Sequence, residues 1–125
     1  MTDRVRFITH QGKSILLVDL SNSSANEVEK ILRALPDVVT ILPRSSVLAL
    51  TDFTGASFDR EAFRALKEAA VFDKPYVKKS AFVGTDNFPP EYSNSLSSFS
   101  GREFPAFKTR EEALAWLAKD RMDRA

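Results

Sequence analysis

The stretch Ser46-Val47-Leu48-Ala49-Leu50-Thr51-Asp52-Phe53 is apolar at nearly every position over the length of one strand. A strand with one wet face alternates apolar and polar residues, whereas a run of this kind needs cover on both faces. The chain must therefore place layers on both sides of it. This restricts the architecture to a sheet flanked by helices, with residues 46–53 as the central strand.

The segments on either side supply those layers. Residues 5–9 and 14–20 read as two short strands, with His10-Gln11-Gly12-Lys13 as a hairpin turn in which Gly12 takes positive φ. Val28, Ile31, Leu32 and Leu35 recur at helical spacing behind a Ser24/Glu27 capping box, predicting a helix over 25–35 that Pro36 ends. Residues 37–45 have β character from Val38 to Leu42, are interrupted by Pro43, and are expected to form an extended connection. Asp59 caps a second helix to about Phe72, with Phe58 stapled to Phe63 and with Leu66 and Ala70 continuing the inward stripe. A strand over 76–83 leaves at Gly84. Pro89-Pro90 opens a helix with Tyr92, Leu96 and Phe99 on one face, ending at Gly101. Residues 104–107 form a short last strand, and Thr109 with Glu112 opens a helix that buries Ala113, Trp116 and Leu117.

The fold class is therefore α/β in the order ββαβαβαβα. It is a mixed, mostly parallel sheet with an N-terminal antiparallel hairpin, right-handed crossovers and four flanking helices. A single domain spans 1–125, with an ordered core from about 4 to 119 and a charged, fraying tail from Asp120. No internal repeat or linker divides it.

Eighteen basic and seventeen acidic residues leave a net charge of +1, so no strong field steers the chain toward nucleic acid or anionic lipid. The absence of cysteine excludes disulfides, thiolate metal sites and a cysteine nucleophile, and fits a cytoplasmic location. Met1-Thr2-Asp3-Arg4 lacks a targeting segment's apolar run, and Ile15 to Val18 is far too short to span a bilayer. His10, the only histidine, falls in the hairpin turn without partners for a catalytic triad. The residue inventory offers no activated nucleophile or matched acid and base, so neither an enzyme nor a cofactor is expected.

Three strings carry a resemblance: Lys74-Pro75-Tyr76-Val77-Lys78-Lys79-Ser80-Ala81-Phe82-Val83-Gly84, Phe99-Ser100-Gly101-Arg102, and Phe107-Lys108-Thr109-Arg110-Glu111-Glu112-Ala113-Leu114-Ala115-Trp116-Leu117. Together with the element order, they resemble the STAS-like domains, the group of the bacterial anti-anti-sigma factors, and in particular its stand-alone bacterial members of unknown function. The regulatory members carry an Asp-Ser-Ser-Gly or Asp-Ser-Thr-Gly motif at the exit of the central strand, where a kinase phosphorylates a hydroxyl. Here the stretch reads Thr51-Asp52-Phe53-Thr54-Gly55-Ala56-Ser57: Asp52, Thr54 and Gly55 follow the motif and Phe53 departs from it. The resemblance implies a non-enzymatic regulatory or protein-interaction module, with Thr54 as the best-aligned phosphorylation candidate and Ser57 next. A phosphate at the start of the helix would gain from its dipole and free N–H groups.

Other groups define the alternatives. Phe88, Tyr92, Leu96 and Phe99 form an aromatic-rich face for a protein partner, a second copy of the chain or a lipid, and segment 88–107 could line a pocket for an apolar ligand. Asp19, Asp52 and Asp86 reach one rim of the sheet, where three carboxylates could hold a divalent cation, although Asp residues at strand exits ordinarily just start turns. Lys74, Lys78, Lys79 and Arg102 are basic neighbours, but alternation sends Lys78 and Lys79 to opposite faces and predicts a solvated edge.

Overall fold

The computed structural model describes residues 4–88 and 90–119. The element order is β1 (Val5–His10), β2 (Lys13–Asp19), α1 (Ala25–Val39), β3 (Val47–Asp52), α2 (Arg60–Asp73), β4 (Val77–Val83), a 3-10 turn (Thr85–Asn87), α3 (Pro90–Ser100), β5 (Ala106–Phe107) and α4 (Arg110–Ala118). The five strands lie side by side in chain order, with β1 antiparallel to β2 and all other neighbours parallel. The mixed sheet, its leading hairpin and its four helices are those the patterning predicts. The charged tail and Pro89 lie outside the described residues.

Alternation along the strands builds two cores. Leu16, Val18, Phe53 and Phe82 face the layer that contains Val28 and Leu32 of α1, Leu66 of α2 and Leu96 of α3. Ile15, Leu17, Leu50, Ala81 and Val83 face Ala113 and Leu117 of α4. β3 is central and covered on both sides, which explains its apolar run. The hairpin closes through Gln11 and Gly12, whose φ values of 51° and 78° suit a two-residue turn matching the strand twist.

The caps hold as predicted at α1, where Ser24 and Glu27 exchange hydrogen bonds, and at α2, where the Asp59 carboxylate accepts from Ala62 N–H at 2.8 Å. Phe58 and Phe63 are joined through Tyr92, whose ring lies 6.2 Å and 4.0 Å from theirs. At α4, Thr109 caps Glu112 N–H, while the Glu112 carboxylate accepts from Lys108 N–H.

Pro36 does not end α1, which runs on to Val39. Proline removes one donor from the helix ladder. Continuing the helix keeps Leu35 and Val39 on the buried stripe begun by Val28 and Leu32, and Thr40 bonds the Pro36 carbonyl through both N–H and Oγ. Val38 and Val39 are consequently helical, and only residues 40–46 connect α1 to β3. β5 is also shorter than its four-residue prediction, pairing with β4 only at Phe82 and Val83.

Candidate functional site

The parallel register of β2 and β3 sets Asp19 opposite Asp52, so both strands deliver a carboxylate to the same rim. Each then starts the same turn. Asp19 Oδ1 accepts from the N–H (3.0 Å) and Oγ–H (2.6 Å) of Ser21. Asp52 Oδ1 accepts from the N–H (2.9 Å) and Oγ–H (2.6 Å) of Thr54. The next residues, Asn22 and Gly55, both take positive φ, a conformation that Asn and Gly adopt at least cost.

The two turns stack beyond the sheet. Leu20 N–H donates to Asp52 O (2.9 Å), Asn22 N–H to Thr54 O (2.8 Å), and Ser57 N–H to Ser23 O (2.9 Å). Glycine is required twice here: a Cβ on Gly55 would strike the Asn22 side chain, and one on Gly84 would strike the Thr54 backbone. The exit of β4 thus supports the Thr54 turn directly.

Adjacent carboxylates repel, and a cation from α4 offsets this. Arg110 Nε lies 2.8 Å from Asp52 Oδ2, and its Nη2 lies 3.2 Å from Asp19 Oδ1. Arg4 adds a weaker contact at 3.7 Å to Asp19 and donates to Ser21 O at 2.8 Å. Burial works to raise the Asp19 carboxyl, but the Ser21 hydrogen bonds, with the charges of Arg110 and Arg4, together hold it below the ordinary carboxylate range.

The structure brings Asp19 and Asp52 together and leaves Asp86 apart, exposed in the 3-10 turn. No group of three or more side chains with metal-ligating chemistry occurs among the described residues. The carboxylate triad is therefore corrected to a carboxylate pair bridged by a guanidinium. Thr54 and Ser57 are both exposed, but the cap of α2 is Asp59. Neither hydroxyl stands at the helix start, so the dipole argument for a phosphate there does not hold; Thr54 instead sits one hydrogen bond from Asp52 and two from Arg110.

The aromatic face is also reassigned. Phe88 and Tyr92 are half-buried, their rings packed on Phe53 (4.9 Å from Phe88), Phe58 and Phe63. Leu96 is fully buried. Tyr92 and Leu96, four apart, share one face of α3, Phe88 precedes that helix in an extended conformation, and all three pack inward. Phe99 alone of the four is exposed, at 57%, with the Lys67 ammonium 5.3 Å from its ring. The space beneath α1 and α2 is a cavity of about 40 Å³, room for a few water molecules rather than an acyl chain.

The sequence reading missed Arg110, Arg4 and Ser21. A local signal existed for the turn, because Asp19-Leu20-Ser21-Asn22 and Asp52-Phe53-Thr54-Gly55 share an aspartate, an apolar residue, a hydroxyl and a residue tolerant of positive φ, each after a strand and before a helix. Four residues are too few to stand out as a repeat.

Sheet order, hairpin and helix placement define an α/β fold of the STAS-like, or SpoIIAA-like, type. The chain is similar to a solved structure from Shewanella loihica PV-4, an uncharacterized protein of the DUF3478 family with a SpoIIAA-like fold. The two share 17% identity over 91% of this chain and 92% of that one, with a TM-score of 0.69, a likeness that shows the fold. No family model matches the sequence, and no curated protein matches it. No described helix is long and apolar enough to cross a membrane.

Proposed function

We propose that the chain is a non-enzymatic regulatory module that binds a protein partner in the cytoplasm through the rim around Thr54, with the Thr54 hydroxyl as its phosphorylation switch. The observation that carries this reading is the series Thr54 Oγ, Asp52 and Arg110, linked at 2.6 Å and 2.8 Å on an exposed strand-to-helix turn. Esterification removes the hydroxyl proton that Thr54 donates to Asp52. It also adds close to two negative charges beside a carboxylate that Arg110 already neutralises. Arg110 must then divide itself between Asp52 and the phosphate, so the turn and the start of α4 shift together. Ser57 lacks this connection, which favours Thr54 over it.

The test is mass spectrometry of the protein purified from its own cells, together with affinity capture by wild-type, Thr54→Glu and Thr54→Val chains. The expected result is a phosphate on the peptide containing Thr54 and a partner retained by one of the two variants and lost by the other. An unmodified Thr54 and identical captured sets for all three chains would overturn the proposal.

A further inference from the structure

The short β5 leaves Val77 to Ala81 of β4 without a strand on that side among the described residues. β4 pairs with β3 from Val77 to Val83, but with β5 only at Phe82 and Val83. Phe82 N–H points to the β5 side, where it donates to Pro105 O at 2.9 Å. With a period of two, the N–H and C=O of Ser80 point the same way, and no strand among the described residues meets them there. Lys78 lies at a register irregularity and has no partner in β3 either.

A groove of about 410 Å³ runs along this edge, lined by Val77 to Ser80, by Glu103 and Pro105, by Lys74 and Arg102, and by Trp116. Val77 packs with Phe82 in the α1/α2 core while Lys79 reaches Trp116 on the α4 side, so the register irregularity interrupts the expected alternation at Lys78, and the groove along the edge collects both lysines. Among the described residues that line it, four cations face one anion in a chain whose net charge is only +1. Two of them are structural: Arg102 donates to Ala70 O and Ser80 Oγ, and Lys79 donates to Trp116 O at 2.7 Å while lying 4.5 Å from the indole ring. Lys74 and Lys78 are exposed.

We propose that this edge receives an extended acidic segment of a partner protein, which adds to β4 as a further strand. Backbone pairing to Ser80 and its neighbours would supply affinity, and the alternating side chains of the segment would supply specificity. Where they meet the exposed Lys74 and Lys78 of the groove, carboxylates are selected. On the α4 face they meet Trp116, which selects an apolar group. A second copy of the same edge would bring the same cations and be repelled, in the way edge lysines block self-pairing. The site is separate from the Thr54 rim and does not depend on its switch.

The probe is an acetylated, amidated hexapeptide of alternating Glu and Val, with a Lys/Val hexapeptide as control. Titrated into the full ¹⁵N-labelled chain at low salt, the Glu/Val peptide is expected to shift the amides of residues 77–81 and to slow exchange of the Ser80 N–H by about tenfold or more. The double variant Lys74→Glu/Lys78→Glu alters only exposed side chains; it should lose the Glu/Val response and acquire one to the Lys/Val peptide. Equal responses to both peptides in the wild type, or shifts that map away from β4, would overturn the proposal. So would faster Ser80 exchange on deletion of residues 120–125, which would make the chain's own tail the occupant. A dimer in native mass spectrometry that the peptide dissociates would do the same for a second copy.

Discussion

Asp73, the last residue of α2, is only 4% exposed, and its Oδ1 has no hydrogen-bond partner among the described residues. It lines the 40 Å³ cavity with Arg102 as the only other ionisable group there among the described residues. Burial pushes its carboxyl up to about 7 from 3.8, against the opposing pull of Arg102. The folded chain therefore keeps the proton up to near neutrality, whereas the unfolded chain loses it near 3.8. Between these values the native state binds more protons, so stability falls as pH rises and levels off above about 7. A difference of 7 − 3.8, or 3.2 units, at 1.36 kcal/mol per unit gives a loss on the order of 4 kcal/mol. Asp73→Asn keeps the shape and stays neutral throughout. It should match the wild type near pH 4 within about 1 kcal/mol and exceed it by up to about 4 kcal/mol at pH 8. Urea unfolding of both chains at fixed pH steps from 4 to 8.5 measures the difference, and the subtraction removes the Asp19 contribution, which is common to both chains and has the opposite sign. A difference that stays flat within about 1 kcal/mol across that range would refute the reasoning, because Asp73 would then ionise in the fold as readily as in the open chain.

Two further outcomes probe the rim. Arg110→Met leaves Asp19 and Asp52 adjacent without their bridging cation; with Arg110 itself about one-third exposed, the cost should be about 1–3 kcal/mol near pH 7, shrinking as the pH falls through the carboxylate range, again read by urea unfolding. Gly84→Ala forces a side chain at φ 76° into the Thr54 backbone. It should cost about 2 kcal/mol or more and move the Thr54 and Gly55 amide resonances, whereas a silent spectrum would mean that the turn does not rest on Gly84.

The parts of this fold that were legible in the sequence are those whose cause is local. Ser24 and Glu27 are three residues apart and cap the same turn; the run of β3 records its own double burial; Gly12 marks a turn because neighbouring strands must reverse there. Pro36 was misleading for a related reason. Its effect on the helix ladder is local and unfavourable, but Val39 lies one turn further along a buried stripe, and only tertiary packing shows that the helix gains by continuing. Tyr92 and Leu96 pose the same problem: their spacing fixes a common face of α3, but whether that face meets solvent or the core depends on elements far away in the chain.

The carboxylate rim separates these two kinds of information most sharply. Strand length and turn chemistry place Asp19 and Asp52 at the exits of neighbouring parallel strands, so their approach could be read from the order of elements. Which cation answers them could not, because Arg110 is 58 residues beyond Asp52 and opens a helix whose own residues explain it equally well as a solvated charge. A pair of aligned carboxylates must be neutralised by a metal, a proton or a basic side chain. The sequence poses that requirement, and the placement of α4 answers it with a guanidinium. A guanidinium held between two carboxylates can also be drawn toward a phosphate on the neighbouring hydroxyl, and that is the property the proposed switch at Thr54 would use.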